Sequence, residues 1–225
     1  MIAACVGQGA ALRRPDTYTK SLLRGDGNGQ TIHDLAGKTW TNNGNVSLTQ
    51  TNRRFIGNVI YLDGTDDHLT TPAGSSGDFI IDANVNFTIE FWLYVTRQSV
   101  TQVVIENWGI NRPWSFTYHA DNTLLVQLWN NTNGNLMAYH ISPVLSSNWH
   151  HIALSRTGGS TIKSFLDGVA FGTSSSALAV WRYSDHIIDI GAHNGGNMAG
   201  YIQGFRFTKG VGRYSADFVP PTRRY

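Results

Sequence analysis

The sequence has little cysteine, little charge and no long apolar segment. Its single cysteine, Cys5, excludes a disulfide framework within the chain. Charged residues make up 14% of the 225 residues, the formal net charge is +2, and no basic stripe of the kind that binds nucleic acid occurs. No apolar run approaches the roughly 18 residues that cross a membrane. We therefore expect neither a nucleic-acid nor a membrane partner, and no signal peptide.

Helical patterns are also missing. The sequence shows no heptads, no sustained helical periodicity and no internal repeat. Its 24 glycines and abundant Asn, Ser and Thr are instead typical of short strands joined by tight turns. We predict a single all-β domain over residues 18–225, since sandwiches of this length commonly form one unit, preceded by an N-terminal arm at residues 1–17.

Alternation and turn residues locate individual strands. The clearest strand is predicted over residues 85–95, where every odd position is apolar. The pairs Asp63-Gly64 and Asp167-Gly168 each predict a hairpin turn, because Asp-Gly suits the left-handed backbone of such turns.

The predicted strands carry segments in a specific order along the chain. These are Ser21-Leu22-Leu23, Tyr61-Leu62-Asp63-Gly64-Thr65, Phe87-Thr88-Ile89-Glu90-Phe91-Trp92, Trp149-His150-His151-Ile152-Ala153-Leu154-Ser155-Arg156, Phe165-Leu166-Asp167-Gly168-Val169, Ile190-Gly191-Ala192 and a closing segment from Gly200 to Pro221. The ordered set resembles the laminin-G-like branch of the concanavalin A-like lectin/glucanase superfamily over residues 18–222. The resemblance implies a two-sheet antiparallel jelly-roll sandwich.

The closing segment is the most specific part of this resemblance. Phe205-Arg206-Phe207-Thr208-Lys209-Gly210, followed by Arg213-Tyr214, is similar to segments of bacteriophage structural proteins and bacterial surface proteins. Within the jelly roll, we expect Arg206 and Arg213 to pair with carboxylates or terminal carbonyls where the last strand returns to the first. We expect Trp92 and Trp149 to supply large buried surfaces.

The pattern of carboxylates argues against an enzyme. Glucanases of the superfamily carry same-face carboxylates two residues apart on one strand, which act as nucleophile and acid/base. No Glu-x-Asp-x-x-Glu run occurs here, and Glu90 stands alone on its strand. Because a single carboxylate cannot divide the two roles, we interpret Glu90 as a structural partner. His150 and His151 face opposite sides of a strand and cannot chelate one ion together, so one is expected in the core.

Oxygen ligands at alternate positions indicate a possible calcium site. Asp26, Asn28 and Asp34 are the candidate ligands, since calcium loops space carboxylate and amide oxygens in this way and the resemblance implies that calcium is common in the family. The segment lacks a closing Glu, and a glycine-rich turn explains it equally well. A second and weaker cluster is formed by Asp63, Asp66 and Asp67.

The seven Trp and nine Tyr are more than a core of this size requires. Aromatic rings flanked by polar side chains bind the apolar faces of sugars, and the predicted loops place such residues at the surface. The candidate ligand-binding residues are Trp108, Trp114, Trp181, Tyr183, His193 and Asn194. Packing in the core or at a subunit interface is the alternative for the same residues.

Two functions from different classes fit these observations. The first is a non-catalytic bacteriophage virion protein on the particle surface, as an external decoration, tail-fibre or attachment component. It would assemble with copies of itself or other virion proteins and touch host surface glycans. The second is a free carbohydrate-binding module or lectin of a bacterial or secreted protein. The closing segment, the polar arm and the lone cysteine favour the first, and the loop aromatics favour the second.

Overall fold

The computed structural model describes residues 15–72, 75–108, 113–130, 134–180, 187–191 and 196–225. Over these ranges the chain forms 17 strands and one short 3-10 turn. The predicted all-β antiparallel sandwich is confirmed. Residues 1–14 of the predicted arm lie outside the described residues, so the boundary between arm and domain stays a prediction. No helix in the described ranges is long and apolar enough to cross a membrane.

The strands form two large antiparallel sheets and a two-stranded ribbon. In chain order they are β1 (Thr19–Leu23), β2 (Asp26–Asn28), β3 (Thr31–His33), β4 (Thr41–Asn43), β5 (Ser47–Thr49), β6 (Val59–Asp63), β7 (His68–Thr70), β8 (Phe87–Val95), β9 (Gln102–Trp108), β10 (Trp114–Tyr118), β11 (Leu124–Trp129), β12 (Leu136–Ile141), β13 (His150–Thr157), β14 (Thr161–Leu166), β15 (Val169–Ser175), β16 (Ile187–Ile190) and β17 (Ala199–Lys209), with the 3-10 turn at Ser75–Asp78.

Sheet I has the strand order β15, β14, β13, β8, β17, β6, β5, and β1 pairs with the second half of β17. Sheet II has the order β12, β11, β10, β9, β16, β7, β4, and β2 pairs with β3 in the ribbon. The strand predicted over residues 85–95 is confirmed as β8, which lies between β13 and β17 near the centre of sheet I. One face of this strand packs in the core between the sheets, which explains why apolar residues occupy its odd-numbered positions.

The core lies between the two sheets. Strand β8 contributes its odd-numbered residues from Phe87 to Val95, and β10 contributes Trp114 and Phe116. Phe91 meets Phe116 edge to face with ring centres 5.1 Å apart, and Trp114 stacks on Phe207 at 6.2 Å. Full burial of one such side chain stabilises the fold by about 1.5–3 kcal/mol. These contacts therefore fix how the sheets face each other.

The two Asp-Gly turns have different outcomes. Asp167 (φ 51°) and Gly168 (φ 83°) both adopt the left-handed backbone and join β14 to β15, so this hairpin prediction is confirmed. The hairpin predicted at Asp63-Gly64 is wrong, because β6 belongs to sheet I and β7 to sheet II. The buried Asp67 carboxylate accepts the Asp63 backbone N–H at 2.9 Å, which holds the chain where it crosses between sheets.

Residues 211–225 form a strap across the outer face of sheet I. The rings of Tyr214 and Phe218 stack at 3.6 Å, and Phe165 of β14 meets Phe218 at 5.3 Å. The Phe218 N–H donates to the Gly168 carbonyl at 2.9 Å, and a Cβ at Gly168 would lie 1.9 Å from the Phe218 carbonyl oxygen. The strap is therefore in tight contact with the β14–β15 turn.

The strap, together with the loop at residues 51–58, buries side chains that point away from the core. Thr88, Glu90 and Trp92 occupy the even positions of β8, yet all three are at most 3% exposed. Their neighbour Tyr94 remains half-buried. The outer face of sheet I is thus divided into a covered part and a more open part, and this division places the candidate site.

Candidate functional site

Glu90 is the centre of the covered part of sheet I. Its Oε1 accepts two hydrogen bonds from the Arg206 guanidinium, at 2.8 Å from Nε and 2.5 Å from Nη2. Its Oε2 accepts the hydroxyls of Tyr214 at 2.7 Å and Tyr225 at 2.8 Å, and lies 3.3 Å from His151 Nε2. Burial alone would raise the pKa of Glu90, but His151 and Arg206 outweigh it and lower the pKa to about 2.

These contacts confirm several sequence predictions. Glu90 is a buried structural partner, and Arg206 pairs with it on the neighbouring strand. Arg213 pairs with Asp16 at 2.7 Å, next to the start of β1. His151 is fully buried and His150 is half-buried, so the two rings face opposite sides. The expected core position is wrong, because the buried His151 lies under the strap on the outer face of sheet I, where its ring meets that of Phe218. This cluster joins strands and strap, and its carboxylate has no room for a substrate.

The outer face of sheet II carries a row of polar side chains on paired strands. The register lines up Thr41, Thr70, Asp189, Glu106, Ser115, Gln127 and Tyr139. Within it, Asp189 of β16 and Glu106 of β9 are direct partners and both are buried. Burial, together with the charge of Glu106, raises the pKa of Asp189 to about 7.

Sequence reasoning missed this carboxylate pair. It searched for two acids on one strand, whereas the pair forms across two strands that are about 80 residues apart in sequence. Asp189 has no hydrogen-bond partner for either carboxylate oxygen in the described part of the chain. With Asp189 0% and Glu106 1% exposed, neither carboxylate touches a substrate in this arrangement.

The predicted sugar-binding residues have mixed outcomes. The prediction of an exposed Trp114 is wrong, because its side chain is 0% exposed and packs on Phe116 and Phe207 in the core. Trp108 ends β9, where its backbone pairs with Ile187, and its side chain lies outside the described residues.

The other four candidates lie outside the described residues. Trp181 and Tyr183 fall in residues 181–186, and His193 and Asn194 fall in residues 192–195. A role of these residues in ligand binding stays a prediction.

The predicted calcium ligands are held by donors of the protein itself. Asp26 pairs with Arg24 and Arg224, each at 2.8 Å. The Asp34 carboxylate accepts the Ser21 hydroxyl, the Leu22 and Ala36 backbone N–H groups and the indole N–H of Trp40. Asn28 is exposed on β2. These bonds favour structural roles for Asp26 and Asp34, and calcium at this place stays a prediction.

The second cluster is more compact. Asp63, Asp66 and Asp67 offer carboxylate oxygens that lie within 4.8 Å of one another, close enough to hold one cation. Asp67 also accepts the backbone N–H groups of Asn45 and Asp63, at 2.7 Å and 2.9 Å. This cluster is a candidate metal site at the crossing between sheets, and its other clear role is to fix that crossing.

A row of aromatic side chains crosses the more open part of sheet I. We call Tyr61, Tyr201, Tyr94 and Trp149 the aromatic row. The register pairs Tyr201 of β17 with Tyr61 of β6 and with Tyr94 of β8, and Trp149 directly precedes β13. Neighbouring ring centres are 5.2 Å, 6.0 Å and 5.8 Å apart, and all four residues are half-buried.

Sequence reasoning also missed the aromatic row. The large buried surface expected of Trp149 is only partly realised, since its side chain stays half-buried and donates its indole N–H to the Asn52 carbonyl at 3.0 Å. The buried Trp92 is as predicted. The available signal was Tyr94, an aromatic residue on the face of β8 that points away from the core.

Comparisons with known proteins agree with the architecture. A family model for the concanavalin A-like lectin/glucanases superfamily matches residues 63–211, which is more than half of the chain. A search of curated proteins finds no match. Among solved structures, the chain is similar to the binding domain of Paraclostridial Mosquitocidal Protein 1, with a TM-score of 0.69 and 16% identity over 88% of this chain and 50% of that one.

Two further solved structures are similar. One belongs to botulinum neurotoxin type C, whose cell entry depends on interaction with two ganglioside molecules, with a TM-score of 0.61 and 14% identity over 85% of this chain and 47% of that one. The other is domain 4 of the extracellular arabinanase AbnA from Geobacillus stearothermophilus, in complex with arabinotriose, with a TM-score of 0.56 and 15% identity over 86% and 93%. The chain spans about half the length of the toxin structures. These identities show a shared fold.

Replacing Glu90 tests whether its cluster holds the strap. Glu90→Gln leaves the half-buried Arg206 guanidinium without its counter-charge, and we expect a loss of about 3 kcal/mol in the free energy of unfolding, measured with denaturant near pH 7. The control Asp16→Asn weakens a partly exposed ion pair and should cost about 1 kcal/mol or less. Equal costs for the two variants would contradict the assigned role.

The pH dependence of Glu90 has a defined sign. Its folded pKa of about 2 lies below the ordinary value of 4.5, so the stabilisation is complete above pH 4.5 and is lost as the pH falls toward 2. We expect Glu90→Gln to lose most of its disadvantage at about pH 2.

Asp189 should show the opposite dependence. Its folded pKa of about 7 lies above the ordinary value of 3.8, so the protein loses stability as the pH rises between these values. Asp189→Asn should therefore increase the free energy of unfolding at about pH 8, by at most about 4 kcal/mol, and change it little at about pH 4. Thermal melts at the two pH values measure the difference. The exposed Asp66→Asn is the control in calcium-free buffer. An equal gain for Asp189→Asn at both pH values would disprove the assignment.

Proposed function

Because the chain belongs to the concanavalin A-like lectin/glucanases superfamily, we propose that it is a non-catalytic, saccharide-binding structural protein on the surface of a bacteriophage virion. The observation that carries the saccharide-binding part is the aromatic row on the outer face of sheet I. The ligand would be a glycan of the host surface, and the other partners would be virion proteins or copies of this chain.

The aromatic row has the physical properties of a sugar platform. A pyranose ring has an apolar face of C–H groups, which packs against an aromatic ring, while its hydroxyls need polar neighbours. Half-buried rings are held in place by packing and still present one edge or face to solvent. The row crosses four neighbouring chain segments of sheet I with ring spacings of 5.2–6.0 Å, so an extended saccharide can contact several rings.

The carboxylates support the non-catalytic part. Glu90 is saturated with donors and its pKa is lowered to about 2, so it is a poor proton donor at neutral pH. Glu106 and Asp189 are buried below the surface of sheet II. A glycosidase needs two carboxyl groups that reach both sides of a glycosidic bond, and neither group of acids meets this requirement as it stands.

The virion part of the proposal depends on the closing segment. Residues 205–214 are similar to segments of bacteriophage structural proteins. Within them, Arg206 and Tyr214 bind Glu90, and Arg213 binds Asp16. These long-range contacts form only in the complete domain. The similarity of this segment to bacteriophage proteins therefore supports a common origin with the domains that carry it there.

A free carbohydrate-binding module is the second candidate. The domain of the arabinanase AbnA in complex with arabinotriose aligns over 93% of its own length, so a domain of this size and fold does bind an oligosaccharide. Both candidates predict saccharide binding, and they differ in whether the chain is part of a particle.

The aromatic row predicts which variant loses saccharide binding. Tyr201 is the central ring, so Tyr201→Ala should weaken binding of glycan-array hits by about 3- to 10-fold or more, measured by calorimetry. Tyr139→Ala removes a tyrosine that is 51% exposed on sheet II and serves as the matched control. If Tyr139→Ala abolishes binding and Tyr201→Ala does not, the site lies on sheet II and the proposal is wrong.

The proposed place of the chain on a virion leads to a second prediction. Mass spectrometry of purified phage particles should detect peptides of this chain, and antibody labelling of intact particles should place it at the surface. Absence of the chain from particles, together with glycan binding by the free protein, would favour the free module instead.

A further inference from the structure

A cavity of about 460 Å³ lies between the loop at residues 51–58 and the end of the strap. Its lining residues are Arg54, Phe55, Ile56, Thr222, Arg223 and Arg224. The volume falls in the range of small-ligand sites. The walls combine apolar side chains, a hydroxyl group and three guanidinium groups, which is an unusual mixture for a chain in which only 14% of residues are charged.

The cavity is next to the aromatic row. Trp149, at one end of the row, donates to the carbonyl of Asn52 in the same loop. Phe55 meets Trp92 edge to face at 5.6 Å, and Trp92 is two residues before Tyr94 on the same face of β8. The loop that forms one wall of the cavity is thus in contact with the row and with its covered neighbour Trp92.

The cavity has an excess of positive charge. The Arg54 guanidinium lies 4.7 Å from the Trp92 ring centre and 5.3 Å from that of Phe55, and neither Arg54 nor Arg223 pairs with a carboxylate within the described ranges. Arg224 pairs with the Asp26 carboxylate, which it shares with Arg24. The excess charge favours an anionic ligand.

The cavity wall is fixed before any ligand binds. The buried Gln203 side chain accepts the backbone N–H groups of Arg54 and Phe55 at 3.1 Å and 3.0 Å, and donates to the Asn58 carbonyl at 2.9 Å. Gly57 has a φ of 107°, a backbone conformation that favours glycine, and Arg224 of the strap packs over it, since a Cβ there would lie 2.3 Å from Arg224 Nη1. A pre-formed site avoids the entropic cost of ordering on binding.

We infer that this cavity binds the carboxylate of an acidic sugar unit within the saccharide that lies along the aromatic row. The inference depends on the proposed saccharide function and names its ligand class. Guanidinium groups bind a carboxylate through paired N–H donors. Phe55 and Ile56 provide apolar contact for the sugar ring that carries it, which a free inorganic anion lacks.

The experiment compares acidic and neutral forms of the same saccharide. A glycan array with neutral, carboxylated, sulfated and phosphorylated glycans should give carboxylated hits, and calorimetry should show at least about 10-fold weaker binding of the methyl ester of each hit. Binding of the acid should weaken as salt rises, and binding of the ester should not. A preference for sulfated or phosphorylated glycans, or full competition by inorganic phosphate, would overturn the inference.

Substitutions in the cavity test whether the acidic group binds there. Arg54→Gln and Arg223→Gln should each weaken binding of the acid by about 10-fold and leave the ester unchanged. Arg53→Gln is the control, since Arg53 is exposed, bonds to Gln50 and does not line the cavity. If Tyr201→Ala weakens binding and the two cavity variants do not, the acidic subsite is wrong and the proposed function stands. If no glycan binds at all, both fail.

Discussion

The buried carboxylate of Glu90 is the constraint on which the rest of the structure depends. A charge in the interior is tolerated only when donors surround it, and Glu90 has Arg206 from β17, His151 from β13, and Tyr214 and Tyr225 from the strap. Those donors come from segments that are far apart in sequence. The cluster therefore acts as a specificity device, since only the native strand order and strap position satisfy it. Removing one partner leaves the others with uncompensated charge.

The strap that satisfies Glu90 also decides where sheet I is open. It covers Thr88 and Glu90 on β8, while the loop at residues 51–58 covers Trp92 and Tyr94 stays half-buried, so the aromatic row lies at the border of the covered part. Arg54 extends the same border, because its guanidinium lies over Trp92 while the end of the strap forms the other wall of the cavity. The elements that stabilise the sheet thus also build the candidate binding surface.

Local sequence patterns predicted those features that depend on neighbouring residues or on residue type. The alternation of β8, the Asp167-Gly168 turn and the pairing of Arg206 with a carboxylate follow from side-chain periodicity, backbone conformation and charge. Trp114 was misplaced because a tryptophan beside a polar segment has the same local signature in a core strand as in a loop. The Glu106–Asp189 pair and the aromatic row arise from the register between strands distant in sequence, which no local pattern contains.

Membership of a lectin and glucanase superfamily fixes an architecture and leaves open which surface acts. In this chain the outer face of sheet II has two carboxylates that are buried together, one of them with a pKa near 7, and such a pair costs stability when both are charged. The outer face of sheet I has its charge neutralised at Glu90 and aromatic rings in mutual contact, and at its border the guanidinium groups of Arg54 and Arg223 pair with no carboxylate of the described residues. Recognition benefits from groups that are ordered before the ligand arrives, because ordering them later reduces affinity. We therefore place the proposed binding surface on sheet I, where packed rings lie beside the strap that the buried carboxylate holds in place.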